Sequence, residues 1–339
     1  MEIHTNIPLK NYTTMRLGGN ARFMTEAHTP EDIATVYRNA KAQNLPIFIL
    51  GGGSNVIVHD EGFAGIVVRN RIPGFEVIDD QASTATLRIG AGENWDEVVK
   101  RSVDMNLSGI EAMSAIPGTA GAAPVQNVGA YGQEIADTLI SLEAYDSETD
   151  SFVSLQNSDC GFSYRDSIFR GDAAGRYVII NITLQLYKTA PQPPFYKALE
   201  DYFAANNITL FTPQIIRDAT IAIRADKLPD PKLYPNTGSF FKNAIVEDWQ
   251  LTDLRDEYPD MPTYDMPGGK FKIPTGWLIE QTGLKGTTLH GIRVHDKNAL
   301  VLINESATTY QDLADARDEI SGAVRDKFRI TIEQEPLEI

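Results

Sequence analysis

Cysteine is all but missing from this chain. Cys160 is the only one in 339 residues, so no internal disulfide can form. That suits a reducing compartment. Histidine is sparse too, at five, and only His290 and His295 lie near each other, with no cysteine beside them. No metal site is expected. No apolar run approaches the roughly 18 residues of a transmembrane helix. The opening MEIHTNIPLKNYTT has no apolar stretch of the secretory kind, so a cytoplasmic location is expected. Cations are outnumbered: 30 Lys and Arg against 46 Asp and Glu give a formal charge of −16. Such a surface argues against general binding to nucleic acid or anionic membrane. A phosphorylated ligand would need a local cluster of Arg and Lys. Repeats, heptads and low-complexity tracts are absent, and the chain is expected to be a monomer.

What is present reads as an α+β protein. Helical period runs through 30–44, with Thr29 placed to cap and Pro30 at the first helical position. Further helices are expected at 94–106, 195–206, 213–226, 245–258, 275–282 and 309–327. Strands are expected at 46–50, 56–58, 65–69, 75–79, 84–89, 139–145, 177–187, 238–243, 299–303 and 329–333. Segment 108–133 is rich in Gly, Ala and Pro and has little period of either kind.

IFILGGGSNVIVHD, residues 47–60, places three glycines between two short apolar runs. Glycine phosphate loops usually join a strand to a helix. Here a β-branched run follows, no Lys-Ser/Thr pair is present, and no third glycine falls at the dinucleotide spacing. RIGAGENWDEVV (88–99) also lacks that third glycine. A strand–GGGSN–strand can still form an anion nest, with backbone N–H groups converging and Ser54 and Asn55 adding donors. On its own it reads equally as a tight turn. The second glycine-rich segment, 109–135, shifts the balance. It is long, apolar and nearly uncharged, which fits a loop buried against something flat rather than a disordered one.

A set of motifs in fixed order then carries a resemblance. They are YTTMRLGGNARF (12–23), LGGGSNVIV (50–58), IPGTAGAAPVQNVGAYGQEI (116–135), CGFSYRDSIF (160–169), KLPDP (227–231), NTGSFFKNA (236–244), GWLIEQTGLKG (276–286) and HDKNALVLIN (295–304). From about Tyr12 to Glu335 the chain resembles the UDP-N-acetylenolpyruvoylglucosamine reductase family, in its longer type with a tyrosine loop. The resemblance implies a two-subdomain FAD-binding domain of the vanillyl-alcohol-oxidase (PCMH) type, about 17–188, plus an α+β substrate-binding domain. The expected division is 1–69 with 328–339, then 70–190, then 191–327. It implies FAD as cofactor, NADPH as reductant and a UDP-sugar, UDP-N-acetylglucosamine enolpyruvate, as substrate. Gly51, Gly52, Gly53, Ser54 and Asn55 would cradle the FAD pyrophosphate. Gly118, Gly121, Asn127, Gly129 and Ala130 would form the second wall.

The implied reaction reduces an enol ether carrying a carboxylate, and needs an electrophile at that carboxylate and a proton donor. Arg165 matches the family's carboxylate-binding arginine; from its own neighbourhood it reads as an ion pair with Asp166. Ser239 matches the proton donor. On a strand over 238–243 it would share a face with Asn243. Glu333 matches the catalytic glutamate. The usual Leu-Glu-Pro-Glu reads Ile332-Glu333-Gln334-Glu335, so Glu335 is a rival. Tyr196, Arg224, Lys227 and Asn243 are the expected substrate-binding residues, with Tyr202 the rival to Tyr196. Arg224 and Lys227 also read as ordinary helix C-terminal cations. Asn298 stands where the family commonly carries glutamine, and no contact is transferred to it. A related FAD oxidase would share the glycine loops but has no reason to keep Ser239, Lys227 and Glu333 in these contexts, and a non-catalytic nucleotide-binding module would bind without turnover.

Overall fold

The first helix shows how local sequence sets the elements. Thr29 Oγ1 accepts the Asp32 amide and the Asp32 carboxylate accepts the Thr29 amide, a reciprocal cap that starts α1, Pro30–Ala42. The other helices are α2 (Trp95–Asp104), α3 (Lys197–Ala205), α4 (Pro213–Lys227), α5 (Asp248–Glu257), α6 (Thr275–Gln281) and α7 (Tyr310–Phe328). A computed structural model describes residues 1–339. The chain divides into two compact units. One comprises Met1–Ile7, Ala21–Gly53 and Ala64–Asp226; the other comprises Pro8–Asn20, Ser54–Phe63 and Lys227–Ile339.

The first unit holds two larger sheets. One has the order His4–Pro8, Asn20–Ala27, Phe63–Asn70, Ile47–Leu50. Its last two strands run parallel, with Ile47 opposite Ile66. The other has the order Ser151–Gln156, Leu139–Asp146, Tyr177–Tyr187, Thr84–Gly90, Phe75–Asp80, all antiparallel. Trp95, Val98, Val99 and Val103 make one stripe of α2, and it is buried with Leu87, Ile89, Leu142 and Leu184. Each fully buried aliphatic side chain there contributes roughly 1.5–3 kcal/mol. Leu199 and Phe203 of α3 pack with Ile216, Ala219 and Ile223 of α4.

The second unit has a four-stranded antiparallel sheet, Asn236–Ser239, Val301–Asn304, Ile292–Val294, Thr288–Leu289. A three-stranded one follows, Ala244–Glu247, Lys270–Ile273, Tyr264–Met266. Leu313, Ala316, Ile320, Val324 and Phe328 recur at helical spacing on α7 and share a core with Leu278, Ile292 and Leu302.

Three expected elements differ, each for a visible reason. The strand expected over 238–243 ends at Ser239. Gly238 has φ +74°, the register shifts between Asn236 and Ser239, and Phe240 and Phe241 are both buried. Consecutive buried side chains cannot lie on one face of a flat strand. The helix expected from 245 starts at Asp248, because Ile245 and Val246 pair with Lys272 and Phe271. No strand forms over 329–333. Ile330 and Ile332 are buried and their neighbours exposed, as alternation requires, but Arg329 has φ +57° and the ladder forms later, at Leu337–Glu338. Segment 108–133 contains only short 3-10 turns and half of a tight hairpin.

Candidate active site

The triple glycine follows the strand Ile47–Leu50, and its neighbours explain two of the three residues. A Cβ on Gly51 would lie 2.8 Å from Thr119 Oγ1; one on Gly52 would lie 2.7 Å from Gly118 Cα. Gly121 is pressed likewise on Ala91, at 2.5 Å. The two glycine-rich loops therefore meet backbone to backbone, and Gly51 and Gly52 are glycines because another loop is there. Gly53 is buried with φ +67°, and its amide donates to no acceptor in the chain. A buried orphan amide is the feature an anion nest requires. The loop thus fits a pyrophosphate. Ser54 and Asn55 follow, and Asn55 Nδ2 lies 3.5 Å from Glu335 O.

Asn127 holds the second loop to its surroundings. It is fully buried at φ +44°; Oδ1 accepts the Ala136 amide at 3.2 Å and Nδ2 donates to Ser163 O at 3.1 Å. Gly129–Ala130 pairs with Gln133–Glu134, and the turn between them places Tyr131 at φ +48° and Gly132 at φ +87°. Both are positive, as a two-residue hairpin demands, and at Tyr131 that conformation is strained. Arg165, at φ +56°, sits in the turn between the bridged pair Ser163 and Asp166. Its Nη2 donates to Gly129 O at 2.7 Å and Nη1 to Asn127 O at 3.4 Å. Asp166 Oδ1 accepts the Ser167 amide at 2.9 Å. Two backbone carbonyls thus help orient the Arg165 guanidinium.

A third group gathers around α4. Arg217 is buried and donates to Asp96 Oδ1 and Oδ2 at 2.6 and 3.1 Å and to Ser114 Oγ at 2.9 Å. Desolvation opposes ionisation of Asp96, yet the Arg217 hydrogen bond and the Ala115 amide bring its pKa below the usual value. Two turns on, Arg224 donates to no acceptor in the chain. Desolvation lowers its pKa, and only the more distant Tyr131 and Asp96 favour its charge. Tyr131 meets Tyr196 edge-on, with ring centroids 5.9 Å apart. Tyr196 is 48% exposed, whereas Tyr202 packs into the cluster around Phe203. Lys227 ends α4, exposed. Asp96, Arg217 and Tyr131 went unnoticed in the sequence; Arg217 and Arg224, seven apart on one helix, were the available signal.

In the second unit Ser239 is half-buried opposite Val301. Asn243 does not share a strand with it: Asn243 Oδ1 accepts the Thr275 amide at 3.1 Å and so fixes the start of α6. Asn298 Oδ1 likewise accepts the Leu300 amide, at 3.1 Å. The buried Thr237 Oγ1, two residues before Ser239, has no partner, and neither have Thr13 Oγ1 and Thr14 Oγ1 of the YTTMRLGG motif. Such orphan hydroxyls mark places built for a ligand or water. The two glutamates differ plainly. Glu333 has a side chain 72% exposed and pairs with Lys242 at 3.4 Å. Glu335 is half-buried, with its amide donating to Phe240 O at 2.9 Å. No group of three or more His, Cys, Asp or Glu could hold a metal. Cys160 is buried, with desolvation raising its pKa to about 11.

Residues 21–154 match the FAD binding domain family, and residues 230–339 match the UDP-N-acetylenolpyruvoylglucosamine reductase C-terminal domain. A UDP-N-acetylenolpyruvoylglucosamine reductase from Ralstonia nicotianae is 40% identical over 336 residues, spanning 98% of each chain. The chain belongs to the UDP-N-acetylenolpyruvoylglucosamine reductase family. It is therefore an FAD-dependent oxidoreductase, and its fold is an FAD-binding domain of the PCMH type with a C-terminal α+β domain. The fold agrees with two solved structures. The reductase of Thermus caldophilus superposes with a TM-score of 0.69 at 22% identity, covering 100% of this chain and 99% of that one. The 6-hydroxy-D-nicotine oxidase of Arthrobacter nicotinovorans does so at 0.50 and 13% identity, covering 97% and 86%. No helix is long and apolar enough to cross a membrane.

Proposed function

We propose that this reductase converts UDP-N-acetylglucosamine enolpyruvate to UDP-N-acetylmuramate with NADPH, in the cytoplasm, as a monomer, for peptidoglycan precursor synthesis. The observation that carries the reading is Arg224: a desolvated cation with no hydrogen-bonded carboxylate, near Tyr131, which meets Tyr196, on a chain of net charge −16. A diphosphate satisfies such a group, and both NADPH and the UDP-sugar carry one. Residues 191–327 are assigned to substrate binding, a functional rather than a compact division. Within it Tyr196 covers the nucleotide, Arg224 and Lys227 meet the diphosphate, and Asn243 holds the wall at α6. FAD, when bound, would supply the hydride chemistry that links NADPH to the enolpyruvyl group. Gly51–Asn55 and Gly118, Gly121, Asn127, Gly129 and Ala130 hold the flavin.

Arg165 meets the substrate carboxylate, where negative charge builds as the hydride arrives, and its carbonyl-held fork is already oriented for that charge. Ser239 then gives its proton to the adjacent carbon. A carboxyl group from the C-terminal segment assists Arg165. Of the expected Glu333 and its rival Glu335, we favour Glu335, because its side chain is half-buried whereas that of Glu333 is 72% exposed and already paired with Lys242. Glu335→Gln should lower kcat by about 10²–10³, the range for losing one oxyanion donor, while Glu333→Gln should stay within about twofold. The opposite ranking returns the role to Glu333. The reading as a whole is tested by mass spectrometry after incubation with NADPH and the enolpyruvyl UDP-sugar. A product heavier by two hydrogens supports it. Unchanged sugar with NADPH consumed to peroxide overturns it.

A further inference from the structure

The last residues of the chain have no part in the chemistry above except through Glu335, yet they are fastened on both sides. Leu337–Glu338 pairs in parallel with Val56–Ile57. The Leu337 amide donates to Asn55 O at 3.0 Å, the Ile339 amide to Ile57 O at 2.9 Å, and the His59 amide to Ile339 O at 2.8 Å. On the other side Phe241 is bridged to Gln334, and the Lys242 amide donates to Glu333 O at 2.8 Å. Residues 333–339 are thus bonded both to the run after the triple glycine and to the run after Ser239.

Side chains from α7 lock this strap in place. Arg317 Nη1 donates to Glu338 Oε1 at 2.5 Å and to Gln334 Oε1 at 3.2 Å. Gln334 Nε2 turns back to Pro336 O at 2.9 Å. The Tyr310 hydroxyl meets both Arg317 and Glu338, and its ring stacks on His59 at 3.9 Å. The Arg317 side chain is only 23% exposed. One guanidinium on a long helix therefore fixes two acceptors of the strap, four residues apart.

We propose that Arg317 is a positioning residue: through Glu338 and Gln334 it latches 333–339, and so sets Asn55 for the flavin and Glu335 for the substrate. The Glu335 part rests on the reductase reading; the Asn55 part rests on FAD binding alone. The test is fluorescence titration of apoprotein with FAD, beside the thermal midpoint of the same apoprotein. Arg317→Met should weaken FAD binding about three- to tenfold, the loss of one or two hydrogen bonds, with the midpoint little changed. The charge exchange Arg317→Glu with Glu338→Arg should recover most of the loss, which a merely structural arginine would not allow. If Arg317→Met fails to fold, Glu338→Ala is read the same way. Unchanged FAD affinity in either folded variant overturns the latch, as does an exchange variant no better than the single one. Normal FAD affinity in the wild type with no reduction of the UDP-sugar would count against the reductase reading and leave this test intact.

Discussion

Gly52→Ala is expected to purify folded and nearly colourless. The added Cβ lands 2.7 Å from Gly118 Cα, which is backbone and cannot rotate aside. The two glycine loops must part, and the orphan amide at Gly53 moves with them. Losing two charge-assisted hydrogen bonds to a pyrophosphate weakens FAD by about 10²-fold or more. Gly118 O accepts the Trp95 amide at the start of α2, but the rest of the α2 stripe stays buried with the five-stranded sheet, so the far-ultraviolet dichroism should be unchanged. Gly322→Ala is the control. It sits within α7 with its nearest contact at 3.8 Å, and alanine there should stabilise by about 0.5–1 kcal/mol without touching flavin content. FAD content and affinity equal to wild type in Gly52→Ala would contradict the loop assignment.

Ser239→Ala should separate the two half-reactions. Flavin reduction by NADPH needs no proton from the protein at the substrate carbon, so its rate should stay within about twofold of wild type. Reoxidation by the enolpyruvyl sugar should fall by about 10²–10⁴, the usual worth of a placed acid. Stopped-flow absorbance reads each half separately. A serine is a weak acid, so the role requires a polarising group or water at the Ser239 hydroxyl when substrate is bound. Equal loss in both halves of a folded variant would remove Ser239 from the proton-donor role.

Much of the fold was legible because its signals are local. Thr29 and Thr309 both cap helices through an aspartate three residues on, as the residue types require. The aperiodic 108–133 was recognisable by what it lacked. Strands such as His4–Pro8 and Ser151–Gln156 were missed because they are largely exposed, with too few apolar residues to alternate. Of the site, motif order pointed to Arg165 and Ser239, but not to what holds them. Arg217 reaches Asp96 across 121 residues, which no spacing rule could reveal. Glu333 and Glu335 are indistinguishable by alternation, since both fall on one side. Only the differing exposure, set by Lys242 and the strap, separates them.

The most direct test is an anaerobic titration of the purified protein followed by flavin absorbance. NADPH is added first, then the enolpyruvyl UDP-sugar. Bleaching of the oxidised flavin by one equivalent, and its return with one equivalent of the sugar, is the predicted result. A yellow protein that bleaches and does not recover on adding the sugar would contradict the account.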